Sequence, residues 1–289
     1  MEKEIKLSLE YDVERPYGPA AETDEGRQLR KRFVAFDRFL TKTLDELAVP
    51  RTFFVIGQYL EGCLKDFSKE ELREIYNPEN PLQKIESHTF SHSFLVKPVD
   101  RNENPIISPV EFARDLQKAN EVIEQILGIK PFGLSMPYGY EGGIGDVPEF
   151  LKVLSDMGFK YVISDVGTDV GKKRQPHTYK AAGFPDIVEI PIHGGEDVFF
   201  TEEKSLRFLE REPDSKEAIL SHYKSLFETI RNLAEKNPLP LYVGLVFHSW
   251  AMAEYDPSLE IHKRIIEMAR GVGARIITFD QVADEIMKQ

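Results

Sequence analysis

A chain of 289 residues and 33.2 kDa is long enough to bury a full hydrophobic core in one large or two ordinary domains. Its formal charge of −12 and pI near 5.2 repel phosphate backbones, and no basic stripe exceeds Lys172-Lys173-Arg174, so no nucleic-acid partner is expected. The single cysteine, Cys63, excludes an intrachain disulfide and reads as core packing beside Leu60 and Leu64.

No apolar run approaches membrane-spanning length. Met1-Glu2-Lys3-Glu4 leads into the first strand without a signal core, so a soluble, cytoplasmic chain with no membrane partner is expected. No Gly/Ser/Pro-rich linker and no repeat divides the sequence, which predicts one domain over 1–289. Strands are predicted at 5–9, 52–56, 83–86, 132–134, 161–164, 187–192, 241–247 and 275–278. Helices are predicted near 25–48, 109–127, 147–157, 214–235, 258–271 and 279–288. The clearest helix opens at Ser108 with Pro109 in its first turn and Glu111 completing a capping box, and it stops at Gly128. This strand–helix alternation predicts an α/β fold with a parallel sheet, an irregular barrel of about seven or eight βα units.

The polar chemistry falls at the ends of these strands. Period-two geometry puts Glu10, Asp12 and Glu14 on one side of the first strand's C-terminal end. In His88-Thr89-Phe90-Ser91-His92, two imidazoles four positions apart can bind one metal ion from a single local turn, with Asp12 as a third ligand. Asp12, His88, Ser135, Asp165, His193 and His248 all lie at or just past predicted strand ends, which share one face in a parallel barrel. His248 follows an apolar run and stands beside Trp250, which supplies an apolar wall. Asp165 either orients His248 or caps a loop, and His193 either lines the pocket or is a satisfied core residue. Glu14 is either a supporting group or a solvated charge. His177, His222 and His262 read as surface residues. The aperiodic stretch 166–185 is either a lid with an anion contact or a surface excursion.

Several motifs resemble the polysaccharide deacetylase, or NodB-like, family of carbohydrate esterases (family 4), and most of all its intracellular, allantoinase-like branch. Leu7-Ser8-Leu9-Glu10-Tyr11-Asp12-Val13-Glu14 is similar to the first family motif, and His88-Thr89-Phe90-Ser91-His92 to its metal motif. Arg51-Thr52-Phe53-Phe54-Val55-Ile56-Gly57 is similar to the second strand, Ser135-Met136-Pro137-Tyr138-Gly139 to the third motif, and Leu245-Val246-Phe247-His248-Ser249-Trp250 to the last. The resemblance implies a NodB-type barrel and a divalent metal on Asp12, His88 and His92, zinc first, with iron, cobalt or nickel as alternatives. It also implies Glu10 as general base, His248 as the acid for the leaving nitrogen, and a pocket of Pro137, Tyr138, Trp250 and Asp165 in which the Tyr138 N–H stabilises the oxyanion. Ser135 and His193 stand at its edge, and a homo-oligomer is compatible with it.

Two departures stand out. Glu10 replaces the family's aspartate, and Ser135 replaces the arginine that holds it, so the base should titrate higher than in the family. The function implied is metal-dependent hydrolysis of a C–N amide bond, N-deacetylation of a small or carbohydrate substrate being the simplest case. The alternatives are cyclic-amide hydrolysis and a non-catalytic metal- or sugar-binding barrel.

Overall fold

The computed structural model describes residues 4–93, 107–167, 174–195, 215–237 and 239–289. Its strands are β1 (Ile5–Val13), β2 (Arg51–Val55), β3 (Gln83–Ser87), β4 (Gly133–Tyr140), β5 (Tyr161–Asp165), β6 (His177–Tyr179), β7 (Phe184–Glu189), β8 (Gly194–Gly195), β9 (Leu241–His248) and β10 (Ala274–Ile276). They join one sheet in the order β6-β7-β5-β4-β3-β2-β1-β9-β8, with β10 on β1, and every pair is parallel except β6–β7. The segment after β7 closes the ring. Ile192 N–H donates to the Asp165 carbonyl at 2.9 Å on one side, and His193 N–H donates to the Gly244 carbonyl at 2.8 Å on the other. The predicted α/β barrel is therefore present.

β1 is the axis of the architecture because both of its faces are buried. Ile5, Leu7, Leu9, Tyr11 and Val13 alternate outward into a core with Phe33, Val34 and Leu40 of helix α1 (Asp24–Glu46). Ser8, Glu10 and Asp12 take the opposite, interior parity. The lower interior is filled by Phe54, Tyr161, Val188, Ile190 and Tyr242 together with Phe279, Val282 and Ala283 of the C-terminal helix Phe279–Ile286. That helix is fixed at the strands' N-terminal ends by Lys6 Nζ donating to Glu285 at 2.6 Å. With the bottom plugged by apolar side chains, the polar interior of β1 can open only toward the strands' C-terminal ends.

Helix Pro109–Leu127 has both halves of the Ser108 capping box and ends at Gly128 with φ of 79°. Three short helices escape the sequence pattern: Gly57–Cys63, Lys69–Ile75 and Ser249–Tyr255. Each spans about two turns, too short for a 3.6-residue stripe to develop. Within 166–185, the described residues are not an irregular lid: His177–Tyr179 and Phe184–Glu189 form an antiparallel pair. Lys172 and Lys173 lie outside the described residues. Among the described residues no helix is long and apolar enough to cross a membrane.

His262 corrects another expectation. It is buried, not on the surface, because it occupies the inner stripe of helix Glu260–Gly271, where its Nε2 lies 2.6 Å from the Tyr11 hydroxyl. Burial pushes its pKa down to about 3. A group depressed on folding supports stability above its unfolded value, near 6.5, and loses that support as pH falls toward 3. Unfolding free energy should therefore drop on acidification by up to about 1.4 kcal/mol per pH unit from this residue. In urea titrations at pH 7, 6 and 5, His262→Gln should decline less steeply than the parent; equal slopes would contradict the assignment.

Candidate active site

The site is assembled where β1, β3, β4 and β9 end. Asp12 sits in register with His248 of the adjacent β9, so a carboxylate and an imidazole emerge side by side. His88 follows β3 directly, and the backbone then turns sharply: Thr89 and His92 have φ of 66° and 56°, in the left-handed region that side-chain-bearing residues enter at a cost. Three anchors hold this turn. Gly57 N–H donates to the Thr89 carbonyl at 2.9 Å, His92 N–H donates to Thr89 Oγ1 at 3.1 Å, and Phe90 N–H donates to Asp115 Oδ2 at 2.7 Å. Gly57 is required for this approach, since a Cβ there would lie 2.8 Å from the Phe90 ring.

The turn delivers both imidazoles to one carboxylate. His92 Nε2 lies 2.9 Å and His88 Nε2 3.7 Å from Glu14 Oε2. The ligand atoms of Glu14, His88 and His92 all lie within 4.8 Å of one another, and all three residues are buried. Asp12 is adjacent: its Oδ2 is 3.7 Å from His88 Nε2 and 3.6 Å from His248 Nε2. The sequence expectation made Asp12 the third ligand, whereas the geometry draws Glu14 into the cluster and sets Asp12 between His88 and His248. Glu14 is 4% exposed, which excludes the solvated-charge reading. The Trp250 indole N–H donates to its Oε1 at 2.9 Å, so Trp250 does more than wall the pocket.

Electrostatically the centre is dominated by buried acids. Burial, with the Glu10 charge second, raises the Asp12 pKa well above the ordinary range, and burial likewise raises Glu10. Glu14 differs. Burial opposes its charge, yet His92, His88 and His248 outweigh this and hold its pKa well below the usual value. Burial pushes His92 down to about 4 despite Glu14, leaving at neutral pH a neutral imidazole beside a carboxylate.

The residues fit a divalent cation. Tetrahedral zinc with ligands at about 2.0–2.1 Å needs donor atoms roughly 3.3–3.5 Å apart, and the Glu14–histidine separations of 2.9 and 3.7 Å bracket that value. Both oxygens of Glu10 and Oδ1 of Asp12 are buried without a hydrogen-bond partner, an arrangement that a neighbouring positive charge relieves.

The remaining expected residues divide. Pro137 is buried within β4, while Tyr138, with φ of 70°, packs its ring 4.5 Å from that of His92. Ser135 contributes its backbone carbonyl, 2.9 Å from His88 Nδ1. Asp165 does not orient His248: it accepts from Gly142 N–H and from Arg174 Nη1, both at 2.8 Å. His193 is satisfied by the chain itself, with Nε2 2.8 Å from the Arg174 carbonyl and Nδ1 accepting from Gly244 N–H at 3.2 Å. Two contributors escaped the sequence reading. Tyr17 places its hydroxyl 3.2 Å from His92 Nδ1, and Asp115 clamps the histidine turn from an adjacent helix. Neither carries a signal in the sequence beyond its residue type.

A family model for polysaccharide deacetylases matches residues 24–162. No curated protein sequence matches the chain. Among solved structures, proteins provisionally named polysaccharide deacetylases resemble it in fold. The one from Mycobacterium smegmatis has a TM-score of 0.68 at 18% identity, covering 99% of this chain and 91% of that one. The one from Pseudomonas aeruginosa PAO1 has a TM-score of 0.66 at 14% identity, with coverage of 99% and 91%. Puue allantoinase has a TM-score of 0.64 at 13% identity, with coverage of 98% and 90%. The polysaccharide deacetylase model thus matches the part of the chain from α1 to β5, and the fold over almost the whole chain is similar to that of these structures.

Proposed function

We propose that the protein is a metal-dependent hydrolase of C–N amide bonds, N-deacetylation being the simplest form of the reaction. The observation that carries this reading is the convergence of Glu14, His88 and His92 within 4.8 Å, with Glu10, Asp12 and His248 beside them. Two imidazoles and a carboxylate leave coordination positions open, as catalytic sites require and closed structural sites do not. A divalent cation held there would polarise an amide carbonyl and acidify a water, zinc being the first candidate for these donors.

Glu10 takes the proton from the attacking water. Its burial raises its affinity for that proton toward the range a general base needs, so the missing family arginine is no obstacle to this role. The Tyr138 N–H, just past the buried part of β4, is offered to the developing oxyanion. His248 donates a proton to the leaving nitrogen, which is a poor leaving group unprotonated. The Asp12 carboxylate, 3.6 Å from His248 Nε2, steadies the imidazolium before that transfer.

The substrate is a small or saccharide-type N-acyl compound. Ring-opening of a cyclic amide is the second reading, favoured by the likeness to Puue allantoinase. Assays of the zinc-loaded protein against N-acetylated sugars, small N-acyl amines and cyclic ureides separate the two by which class turns over.

Three outcomes are expected from substitutions. The His88→Ala, His92→Ala double variant should lose stoichiometric zinc on dialysis, as measured by atomic emission; retained zinc would sink the metal assignment. Glu14→Gln should weaken zinc binding more than Asp12→Asn does, since Glu14 stands nearer the paired imidazoles; the reverse order in chelator competition would restore Asp12 as the third ligand. Glu10→Gln and His248→Ala should each keep the metal while kcat falls on the order of 10²–10⁴-fold. For His248→Ala the loss should be larger on amides than on activated esters, and equal losses would remove it as the acid.

A further inference from the structure

The paired histidines differ in what their far ring nitrogens face. His88 Nδ1 lies 2.9 Å from the Ser135 carbonyl oxygen. A carbonyl only accepts, so Nδ1 carries the proton and Nε2 keeps its lone pair. His92 Nδ1 faces the Tyr17 hydroxyl at 3.2 Å, a group that donates or accepts by rotating its O–H bond. Across the same ring, Nε2 stands 2.9 Å from Glu14 Oε2. A carboxylate accepts too, so without a cation this contact needs a proton on Nε2, and the Tyr17 hydroxyl then donates to Nδ1. A cation at Nε2 demands the reverse, with Nδ1–H donating to the Tyr17 oxygen.

We propose that Tyr17 is a positioning residue that lets His92 exchange its ring proton between nitrogens on cation loading, while His88 is preset by the Ser135 carbonyl; this rests on the metal-binding reading above. Protons balance. Nε2 releases one to solvent, Nδ1 takes one up, and the Tyr17 hydroxyl rotates so that its oxygen accepts from Nδ1. The phenol is braced for the task. Gly18 N–H donates to Gln58 Oε1 at 3.2 Å, and Gln58 N–H donates to the Phe90 carbonyl at 3.1 Å, which ties the Tyr17 segment to the histidine turn. The Tyr17 and Tyr138 rings pack 5.2 and 4.5 Å from the His92 ring, restricting its rotation.

The test is long-range proton–nitrogen NMR of the full chain with labelled imidazoles, metal-free and zinc-loaded, alongside zinc affinity by chelator competition. In the metal-free parent, His88 should be protonated on Nδ1 and His92 on Nε2; with zinc, both should carry the proton on Nδ1. Tyr17→Phe keeps the ring and removes the hydroxyl. It should leave the His88 tautomer unchanged and weaken zinc binding on the order of 10–100-fold. A metal-free His92 already protonated on Nδ1 overturns the proposal without any variant. Zinc affinity unaltered in Tyr17→Phe overturns this inference alone, whereas failure of the parent to bind zinc overturns the metal reading with it.

Discussion

Everything distinctive in this molecule follows from one constraint: β1 carries Glu10, Asp12 and Glu14 into the barrel interior, where ionised carboxylates are expensive. Such a row persists only if something nearby compensates for the lost hydration. Below it, among the described residues, the C-terminal helix fills that end with Phe279, Val282 and Ala283, and the Lys6 ammonium there is paired with Glu285 of that helix. Compensation has to come from the open end, and there His88, His92, His248 and the Trp250 indole all turn toward these acids.

The same constraint accounts for the strained backbone. Bringing two imidazoles four residues apart to one carboxylate requires the chain to reverse within the turn, with two residues at positive φ. Conformations of this kind cost on the order of 1–3 kcal/mol each and survive where surrounding contacts overdetermine them. Here the contacts are visible: Asp115 receives the turn's N–H groups from one helix, and the start of helix Gly57–Cys63 donates to its carbonyls from another. The site is therefore a rigid product of the fold, set on strand ends and helix termini.

Much of this was legible in the sequence because strand alternation and capping chemistry are local. The β1 parity, the capped helix at Ser108 and the histidine pair need only neighbours along the chain to be recognised. What could not be read depends on which side chains meet across the barrel. Glu14 shares the parity of Asp12, yet only the trajectory past Val13 decides which carboxylate meets His92. Asp165 and His193 look like site residues at strand ends but spend their hydrogen bonds on Gly142, Arg174 and Gly244. His262 is amphipathic-helix sequence whose inner stripe happens to meet the Tyr11 hydroxyl. Tyr17 reaches His92 only through a segment held by Gln58, a contact 40 residues away in sequence.

The central claim is that these acids and imidazoles form one cation site. Anomalous diffraction from zinc-soaked crystals tests it most directly, because it locates the ion without reference to activity. The account expects one strong peak about 2.0–2.2 Å from His88 Nε2, His92 Nε2 and a carboxylate oxygen of Glu14. The absence of a peak there in zinc-saturated crystals, or an ion bound away from the two histidines, would contradict it.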